Sequence, residues 1–323
     1  MSAVTLEQAA AFLKTHDNYL LLSHRRPDGD AVGSNAALCR ALRAMGKQAW
    51  VYPNPQFTPK FAPYLEGLEG RPDPDSTGDL TVVSCDIAAP GLFPFGMEEA
   101  RVDLALDHHG TNSGFAALTH ADETRAACGE IIVELLPLLG VTMDKPMAEA
   151  LYVAISTDTG CFRYSNVTAN TFRCAAACVA AGAEIFPINR TFFEIKRRAR
   201  LQLEAYLVEH MEFFAGGKVA VSAIPQALME ELGLTEDDID DISGFGRAVE
   251  GVELAAMLRE VENGRGKISV RTSPAFNAAK ICARLGGGGH PGAAGATVEG
   301  GIPAARAAIL AAIREELGDT LRA

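Results

Sequence analysis

The feature that most constrains the fold of this chain is the alternation of short apolar runs with longer amphipathic segments over its first two-thirds. The short runs have the length of buried strands, and the longer segments repeat their apolar residues with a helical period. Strands that alternate with helices predict a mostly parallel sheet with helices on both faces. Strands are expected at residues 19–23, 48–52, 80–84 and 102–106, and helices at 5–14, 31–45, 124–139, 146–156 and 169–181.

A second, smaller α/β unit is predicted after the glycine pair at 216–217. The length of 323 residues is too great for one ordinary core and suits two domains. Phe192–Phe214 is charged and amphipathic, and it is predicted to form one connector helix. The predicted divisions are a catalytic domain at 1–190, a connector helix at 191–215 and a substrate-binding domain at 216–323. In the last of these, strands are expected at 218–224, 252–261 and 267–272, and helices at 225–232, 277–285 and 303–317.

Charge and composition argue against several classes of protein. The net charge is −12 without a visible basic stripe, which argues against a duplex DNA binder but allows a short anionic substrate. No apolar run reaches the roughly 18 residues of a membrane span, so no membrane contact is expected. Residues 1–14 resemble an amphipathic helix and not a signal peptide, so a cytoplasmic location is expected. The seven scattered cysteines contain no CxxC pair, which disfavours disulfides and a zinc site.

Acidic residues and histidines are concentrated in four short motifs, each at the end of a predicted strand or apolar segment. In an open parallel sheet, ligands bind at the carboxyl ends of the strands, so these side chains are expected to converge. The candidate residues are His24, Asp28, Asp30, Asp86, Asp107, His108, His109 and Asp158.

Carboxylate oxygens and imidazole nitrogens together suit Mn²⁺, and less exclusively Mg²⁺ or Fe²⁺. Clustered carboxylates would repel one another unless cations lay among them. Two cations about 3.5–4 Å apart could activate a water molecule and stabilise an in-line displacement. A single aspartate such as Asp28 is more often a helix cap or turn residue, and His108 alone could be a core histidine. Four such motifs in this order are harder to explain as caps.

These motifs resemble those of the DHH phosphoesterase family, and the resemblance covers nearly the whole chain. It implies one Mn²⁺ held by His24, Asp28 and Asp86, and a second held by Asp30, Asp86, His108 and Asp158. Asp107 would orient its neighbours. His109 would face the substrate phosphate or leaving oxygen, or would instead make a supporting hydrogen bond. Arg163 could reach a phosphate or form a surface salt bridge.

The chain departs from the family pattern in one place. Many relatives carry an arginine several residues after the aspartate that matches Asp86. Here the stretch Ile87–Phe93 contains no basic residue. If the substrate needs that contact, another residue must provide it.

A glycine run followed by histidine, Gly286–Gly289 and His290, is the second notable feature. Consecutive glycines let backbone N–H groups approach an anion, although flexible loops have the same composition. Together with Arg271, the run resembles the DHH-associated substrate-binding domain of the family. The resemblance implies that these residues bind the terminal phosphate or nucleotide across a cleft from the metals. Arg271 could also be an ordinary exposed strand charge, and Arg259 and Lys218 are further candidates.

The resemblance favours an enzyme that degrades short single-stranded oligonucleotides to mononucleotides and dephosphorylates 3′-phosphoadenosine 5′-phosphate (pAp). The alternatives are a phosphodiesterase for cyclic or linear dinucleotides (c-di-AMP or pApA), a pyrophosphatase or exopolyphosphatase, and a catalytically silent nucleotide-binding module. Substrate length, RNA against DNA, Mn²⁺ against Mg²⁺ and the oligomeric state stay open, with a homodimer as one option.

Overall fold

The computed structural model describes residues 2–72, 79–239 and 241–317. The chain divides into two compact units, Met1–Ile195 and Lys196–Ala323, which we call unit 1 and unit 2. Within the described ranges, no helix combines the length and the apolar character needed to cross a membrane.

Unit 1 is built on a parallel sheet, as the alternating pattern predicts. The order of the described strands is β1-β6-β5-β4-β2-β3, and each neighbouring pair is parallel. Sequence reasoning missed β1 and β6, which are short and lie at or next to the sheet edge. The strands are β1 Ser2–Ala3, β2 Tyr19–Leu22, β3 Ala49–Val51, β4 Thr81–Cys85, β5 Leu104–Asp107 and β6 Leu118–Ala121.

One face of this sheet packs against helices, and the other face packs largely against irregular chain. Leu21 and Val83 share a core with the buried faces of the helices, whereas Leu22 and Val82 pack with Phe93. Phe93 belongs to the segment 87–102, which includes a 3-10 turn and takes the place where helices were expected. The helices of unit 1 are α1 Leu6–Thr15, α2 Gly29–Ala44, α3 Ala62–Leu65, α4 Cys128–Leu139, α5 Lys145–Asp158, α6 Ala169–Ala180 and α7 Ile185–Asn189.

Helices α2 and α5 approach each other closely because small residues line their contact. A Cβ atom on Gly33 would lie 2.2 Å from the carbonyl oxygen of Ala150, so only glycine fits there. The close approach matters for the site because α2 carries Asp30 in its first turn and α5 ends at Asp158.

Unit 2 contains a mixed sheet whose described strands have the order β11-β12-β10-β9-β8-β7. The β8–β9 pair is parallel and the others are antiparallel. One face packs on helices through residues such as Val270 and Ile309, and part of the other packs on Leu203 and Leu207. The elements are α8 Arg198–His210, β7 Glu212–Phe214, β8 Val219–Ile224, α9 Gln226–Leu232, β9 Leu254–Val261, β10 Arg265–Thr272, α10 Ala278–Ala283, β11 Gly288–His290, β12 Ala293–Glu299 and α11 Gly301–Leu317.

The single connector helix predicted over 192–214 is wrong. The chain forms a π-helical turn at Arg190–Glu194, becomes extended, enters α8 at Arg198 and ends in strand β7. Tertiary contacts explain the breaks. Phe192 stacks on Phe61 in unit 1, and the residues of β7 pair with β8 in unit 2. These local packing partners override the continuous helical pattern.

Candidate metal centre

The carboxyl edge of the unit 1 sheet brings together the eight acidic and histidine candidates. His24 follows β2, Asp86 follows β4, Asp107 is the last residue of β5, and Asp158 is the last residue of α5. Since β2, β4 and β5 are parallel neighbours, their ends meet at the same edge. The first turn of α2 adds the two remaining aspartates.

Ligand atoms of these side chains form overlapping groups in which all atoms lie within 4.8 Å of one another. The groups are His24, Asp28 and Asp86; Asp30, His108 and Asp158; and Asp86, His108 and His109. Asp86 lies between the first two groups, with Oδ2 at 3.6 Å from His24 Nε2 and Oδ1 at 3.4 Å from His108 Nε2. That Asp86 belongs to two ligand sets stays a prediction.

Asp86 has an unusual backbone conformation. Its φ of 62° lies in the left-handed region, which asparagine, aspartate and glycine tolerate best. Its backbone N–H donates to the carbonyl of Leu106 on β5. The side chain is buried, and among the described residues its Oδ1 has no hydrogen-bond partner. A buried carboxylate oxygen without a donor fits a cation as its missing partner.

Asp30 is buried between α2 and the start of α4. Its carboxylate accepts hydrogen bonds from the backbone N–H groups of Cys128 at 2.6 Å and Gly129 at 2.8 Å. Ser34 donates a third bond at 3.0 Å. These bonds explain why α4 begins at Cys128 and not at 124, because Asp30 satisfies the free N–H groups of its first turn. Sequence reasoning missed this pairing, which joins residues almost a hundred positions apart.

Electrostatics show how strongly the cluster favours positive charge. Burial lowers the pKa of His24, but hydrogen bonds and negative charge from Asp28 and Asp86 outweigh it and raise the pKa to about 10. The pKa of Asp158 rises to about 7, because burial and the charges of Asp28 and Asp86 outweigh the opposing effect of His108. Without a metal ion, bound protons offset part of the negative charge of the cluster. Divalent metal ions would displace these protons on binding.

His108 is oriented so that one ring nitrogen faces the carboxylates. Its Nδ1 lies 3.3 Å from the carbonyl oxygen of Arg125, which can accept a hydrogen bond from a protonated Nδ1. Its Nε2 then faces Asp30, Asp86 and Asp158 at 3.4–3.7 Å. A histidine whose second nitrogen donates to a carbonyl has the arrangement typical of a metal ligand.

Asp107 organises its own neighbours through four hydrogen bonds. It accepts from the backbone N–H of His108 and of His109, from His109 Nδ1 at 2.8 Å and from Asn112 Nδ2 at 2.6 Å. Burial raises the pKa of Asp107, but the bonds from His109 and Asn112 outweigh it and leave the pKa below its usual value. Asn112 was not singled out from sequence, where only its closeness to the Asp107 motif could have indicated it.

Asp28 has the helix-cap role that was one of the two interpretations considered for it, and its ligand role stays a prediction. Its Oδ1 accepts from the backbone N–H groups of Asp30 and Ala31, which makes it the N-cap of α2. The same carboxylate lies 3.7 Å from His24 Nε2. The cap fixes the carboxylate beside His24, so the structural role supports the ligand role. Asn54, also missed from sequence, donates to the carbonyl of His24 at 3.0 Å.

Arg163 lies in the loop after α5, five residues beyond Asp158. The loop holds Gly160, Cys161 and Phe162 at positive φ, and the Arg163 side chain donates to the Gly160 carbonyl at 2.6 Å. The described residues include no ion-pair partner for Arg163. Its role at a phosphate therefore stays a prediction.

In unit 2, Arg271 and His290 share one face of the sheet. Arg271 lies opposite Ala293 on β12, and Ala293 lies opposite His290 on β11. Directly opposed residues project to the same side, away from the core residue Val270. Two other candidates are paired with glutamates: Arg259 with Glu236 and Lys218 with Glu253.

The predicted glycine loop is a loop only in its first half. Gly286 follows α10 with a φ of 73°, whereas Gly288 and Gly289 belong to strand β11. A Cβ atom on Gly287 would lie 2.1 Å from the carbonyl oxygen of Gly295, so the strand pairing itself requires glycine there. At Gly288 nothing lies within 4 Å of such an atom. The correction follows from pairing with β12, which local composition does not reveal.

A parallel sheet with a carboxylate–histidine cluster at its carboxyl edge, followed by a mixed-sheet unit, defines a class of two-unit α/β proteins with a candidate metal site. Residues 18–155 match the model of the DHH family N-terminal domain, and residues 216–319 match that of the DHHA1 domain. The chain is 35% identical, over 92% of its length and 89% of the relative, to the bifunctional oligoribonuclease and PAP phosphatase NrnA of Thermus thermophilus. The chain belongs to the DHH family of phosphoesterases.

Two further similarities concern a more distant relative and a solved structure. The cyclic-di-AMP phosphodiesterase GdpP of Geobacillus thermodenitrificans is 25% identical over 85% of this chain, which spans 44% of that relative. A crystal structure of an exopolyphosphatase-related protein from Bacteroides fragilis has a TM-score of 0.85 at 22% identity, covering 96% of this chain and 95% of its own. That likeness confirms the fold.

Proposed function

We propose that this protein is a metal-dependent phosphoesterase that degrades short oligonucleotides to mononucleotides and removes the 3′-phosphate of pAp. The Thermus relative is named for both activities and aligns with nearly the full chain. The observation that carries the proposal is the position of Asp86, whose two oxygens face two separate ligand groups.

We assign the ligand groups to two Mn²⁺ ions, with Mg²⁺ as the alternative. His24, Asp28 and Asp86 would hold one ion, and Asp30, Asp86, His108 and Asp158 the other. The all-oxygen and imidazole donor set suits these ions, and the orphaned Asp86 oxygen supports occupancy. When bound, such a pair of cations would lower the pKa of a water molecule and would stabilise negative charge at the phosphorus centre.

The chain's own residues would position the substrate around this centre. Asp107 fixes the tautomer of His109, because a carboxylate accepts only from a protonated Nδ1. The side chain of His109 is 41% exposed, so its Nε2 is available to a phosphate or leaving oxygen. Arg163 would contact a phosphate. In unit 2, Arg271, Gly286–Gly289 and His290 would bind the terminal phosphate or nucleotide. The functional boundaries at 190 and 216, and a homodimeric assembly, stay predictions.

A phosphodiesterase acting on cyclic or linear dinucleotides is the second candidate. The similarity to the cyclic-di-AMP phosphodiesterase GdpP favours it, although this chain spans less than half of that relative. Both functions use the same metal centre, so only substrate preference separates them.

Product analysis on parallel substrates tests these proposals. The panel contains a linear RNA dinucleotide, a longer RNA, pAp, cyclic di-AMP and pyrophosphate, each with Mn²⁺, without metal and with the Asp86→Asn variant. Metal-dependent release of mononucleotides from the dinucleotide, with cleavage of pAp, is the expected result. Preference for cyclic di-AMP would favour the second candidate. Nucleotide binding without turnover would indicate a silent module and overturn both.

A further inference from the structure

Arg25 follows the candidate ligand His24 directly and is anchored on the segment that follows Asp86. Its backbone N–H donates to the carbonyl of Leu92 at 2.7 Å, and its Nε donates to the carbonyl of Phe93 at 3.3 Å. Its guanidinium lies 4.5 Å from the centre of the Phe95 ring. The two chain segments in this contact therefore follow His24 and Asp86, which are both candidate ligands of one group.

The segment under Arg25 is rigidly supported. Phe93 is buried and packs edge-on against Phe115. The Phe95 carbonyl accepts from the hydroxyl of Tyr52 at 3.0 Å. Gly96 adopts a φ of 84°, and a Cβ there would lie 2.9 Å from the same hydroxyl. These contacts hold the backbone of the segment on which Arg25 lies, although the Phe95 side chain itself is 47% exposed. A site whose backbone is held in this way has a smaller entropy cost of binding.

Among the described residues, no carboxylate forms an ion pair with the Arg25 guanidinium, although the chain carries a net charge of −12. Nε donates to the Phe93 carbonyl and one face lies over the Phe95 ring, whereas the edge formed by the two terminal NH2 groups makes no hydrogen bond to any described residue. That edge matches the spacing of two phosphate oxygens.

We propose that Arg25 is a substrate-positioning residue that binds a phosphate of the oligonucleotide beside the metal centre. The proposal rests on the proposed function and deepens it. It also accounts for the stretch after Asp86, where Ile87–Phe93 contains no basic side chain. In this chain, Arg25 from the loop after β2 would provide the positive charge at that segment, because it hydrogen-bonds to the backbone carbonyls of Leu92 and Phe93.

The test uses the full-length, metal-loaded protein and compares Arg25→Gln with Arg25→Lys. Arg43→Gln is the matched control, because Arg43 also donates its Nε to a backbone carbonyl, that of Ala49 at 2.8 Å, but lies in the last turn of α2, at the opposite end of the helix from Asp30. Arg25→Gln should raise KM for the RNA dinucleotide on the order of ten- to a hundredfold, with kcat within about threefold. Arg25→Lys should fall between, because lysine keeps the charge without the fork.

Salt dependence gives a second readout that a merely structural role would not change. KM should depend less steeply on salt concentration in Arg25→Gln than in the wild-type protein, because one charge contact with a phosphate is lost. Phe95→Ala should raise KM only a few-fold, because the ring orients the guanidinium but does not contact the phosphate. Unchanged KM and salt slope in Arg25→Gln would overturn the proposal, as would an equal effect in Arg43→Gln.

The outcome can be separated from that of the proposed function. If the wild-type protein hydrolyses none of the panel, calorimetry with AMP and with pAp still compares wild type and Arg25→Gln. Weaker binding by the variant would support the phosphate contact without catalysis. Equal binding would remove the role of Arg25 and leave the metal centre to be judged by turnover alone.

Discussion

The carboxyl edge of the unit 1 sheet and the β11 edge of the unit 2 sheet carry the two sets of candidate residues, and they differ in burial. At the first edge, Asp30, Asp86 and Asp107 are at most 3% exposed, and backbone N–H groups fix Asp30 and Asp107. At the second, Gly288–His290 is exposed. Charged ligands need enclosure and donors to stay in place, whereas a backbone that meets an anion must stay accessible.

The two edges also differ in how their sequences are constrained. The aspartates of unit 1 have several structural duties at once, as Asp28 does in capping α2. In the glycine run, packing against β12 explains Gly287 and Gly289 but leaves Gly288 with free space around it. Since packing does not require glycine at position 288, a substitution there reports most directly on ligand binding.

Replacing the shared aspartate should give the largest effect. Asp86→Asn keeps the left-handed backbone and the shape but removes the charge facing both ligand groups. We expect turnover to fall well beyond the roughly 10–100-fold typical of residues that only support ligands. Bound Mn²⁺, measured after gel filtration, should fall at both sites. Two retained equivalents with near-normal turnover would exclude a bridging role.

Removing the support of the metal centre should give the next largest effect. Asp107→Ala deletes the acceptor of four hydrogen bonds and frees the His109 ring. Activity should fall about 10–100-fold while Mn²⁺ is still bound. Steady-state kinetics at saturating Mn²⁺ measure this, and Asp103→Ala, in the turn before β5, is the control for loss of an aspartate. A wild-type rate would show that His109 needs no orientation.

Metal binding should stabilise unit 1 and leave unit 2 unaffected. Trp50 is the sole tryptophan of the chain and lies in unit 1, so its fluorescence reports on that unit. At about 100 times the dissociation constant, each bound Mn²⁺ should add roughly 2.7 kcal/mol to the free energy of unfolding. Thermal denaturation with and without chelator measures the shift. An unchanged Trp50 transition would contradict metal binding in the folded cluster.

Substitutions in the glycine run should give the smallest effects, and two neighbouring glycines there can be compared directly. Gly287→Ala places a Cβ against the Gly295 carbonyl and should cost about 1–3 kcal/mol of stability. Gly288→Ala meets open space and should leave the melting temperature nearly unchanged while raising KM. Differential scanning calorimetry and kinetics on both variants separate folding from binding. If Gly288→Ala behaved as wild type in both assays, the run would be purely structural.

The sequence by itself determined the class of fold and the composition of the site. The alternating apolar pattern predicted the parallel sheet of unit 1, and the strand ends placed His24, Asp86 and Asp107 at one edge. Both follow from local rules, because strand polarity alone decides at which edge a terminal residue lies. The resemblance of the motifs to the DHH family is confirmed by the family match.

Only the tertiary structure decided how those residues are held. The bonds from Cys128 and Gly129 to Asp30, and the left-handed backbone of Asp86, depend on elements distant in sequence. The break of the predicted connector helix and the strand formed by Gly288–His290 likewise depend on partners, Phe61 and β12, that no local pattern shows. Local propensity is worth a fraction of a kcal/mol per residue, so packing and pairing override it.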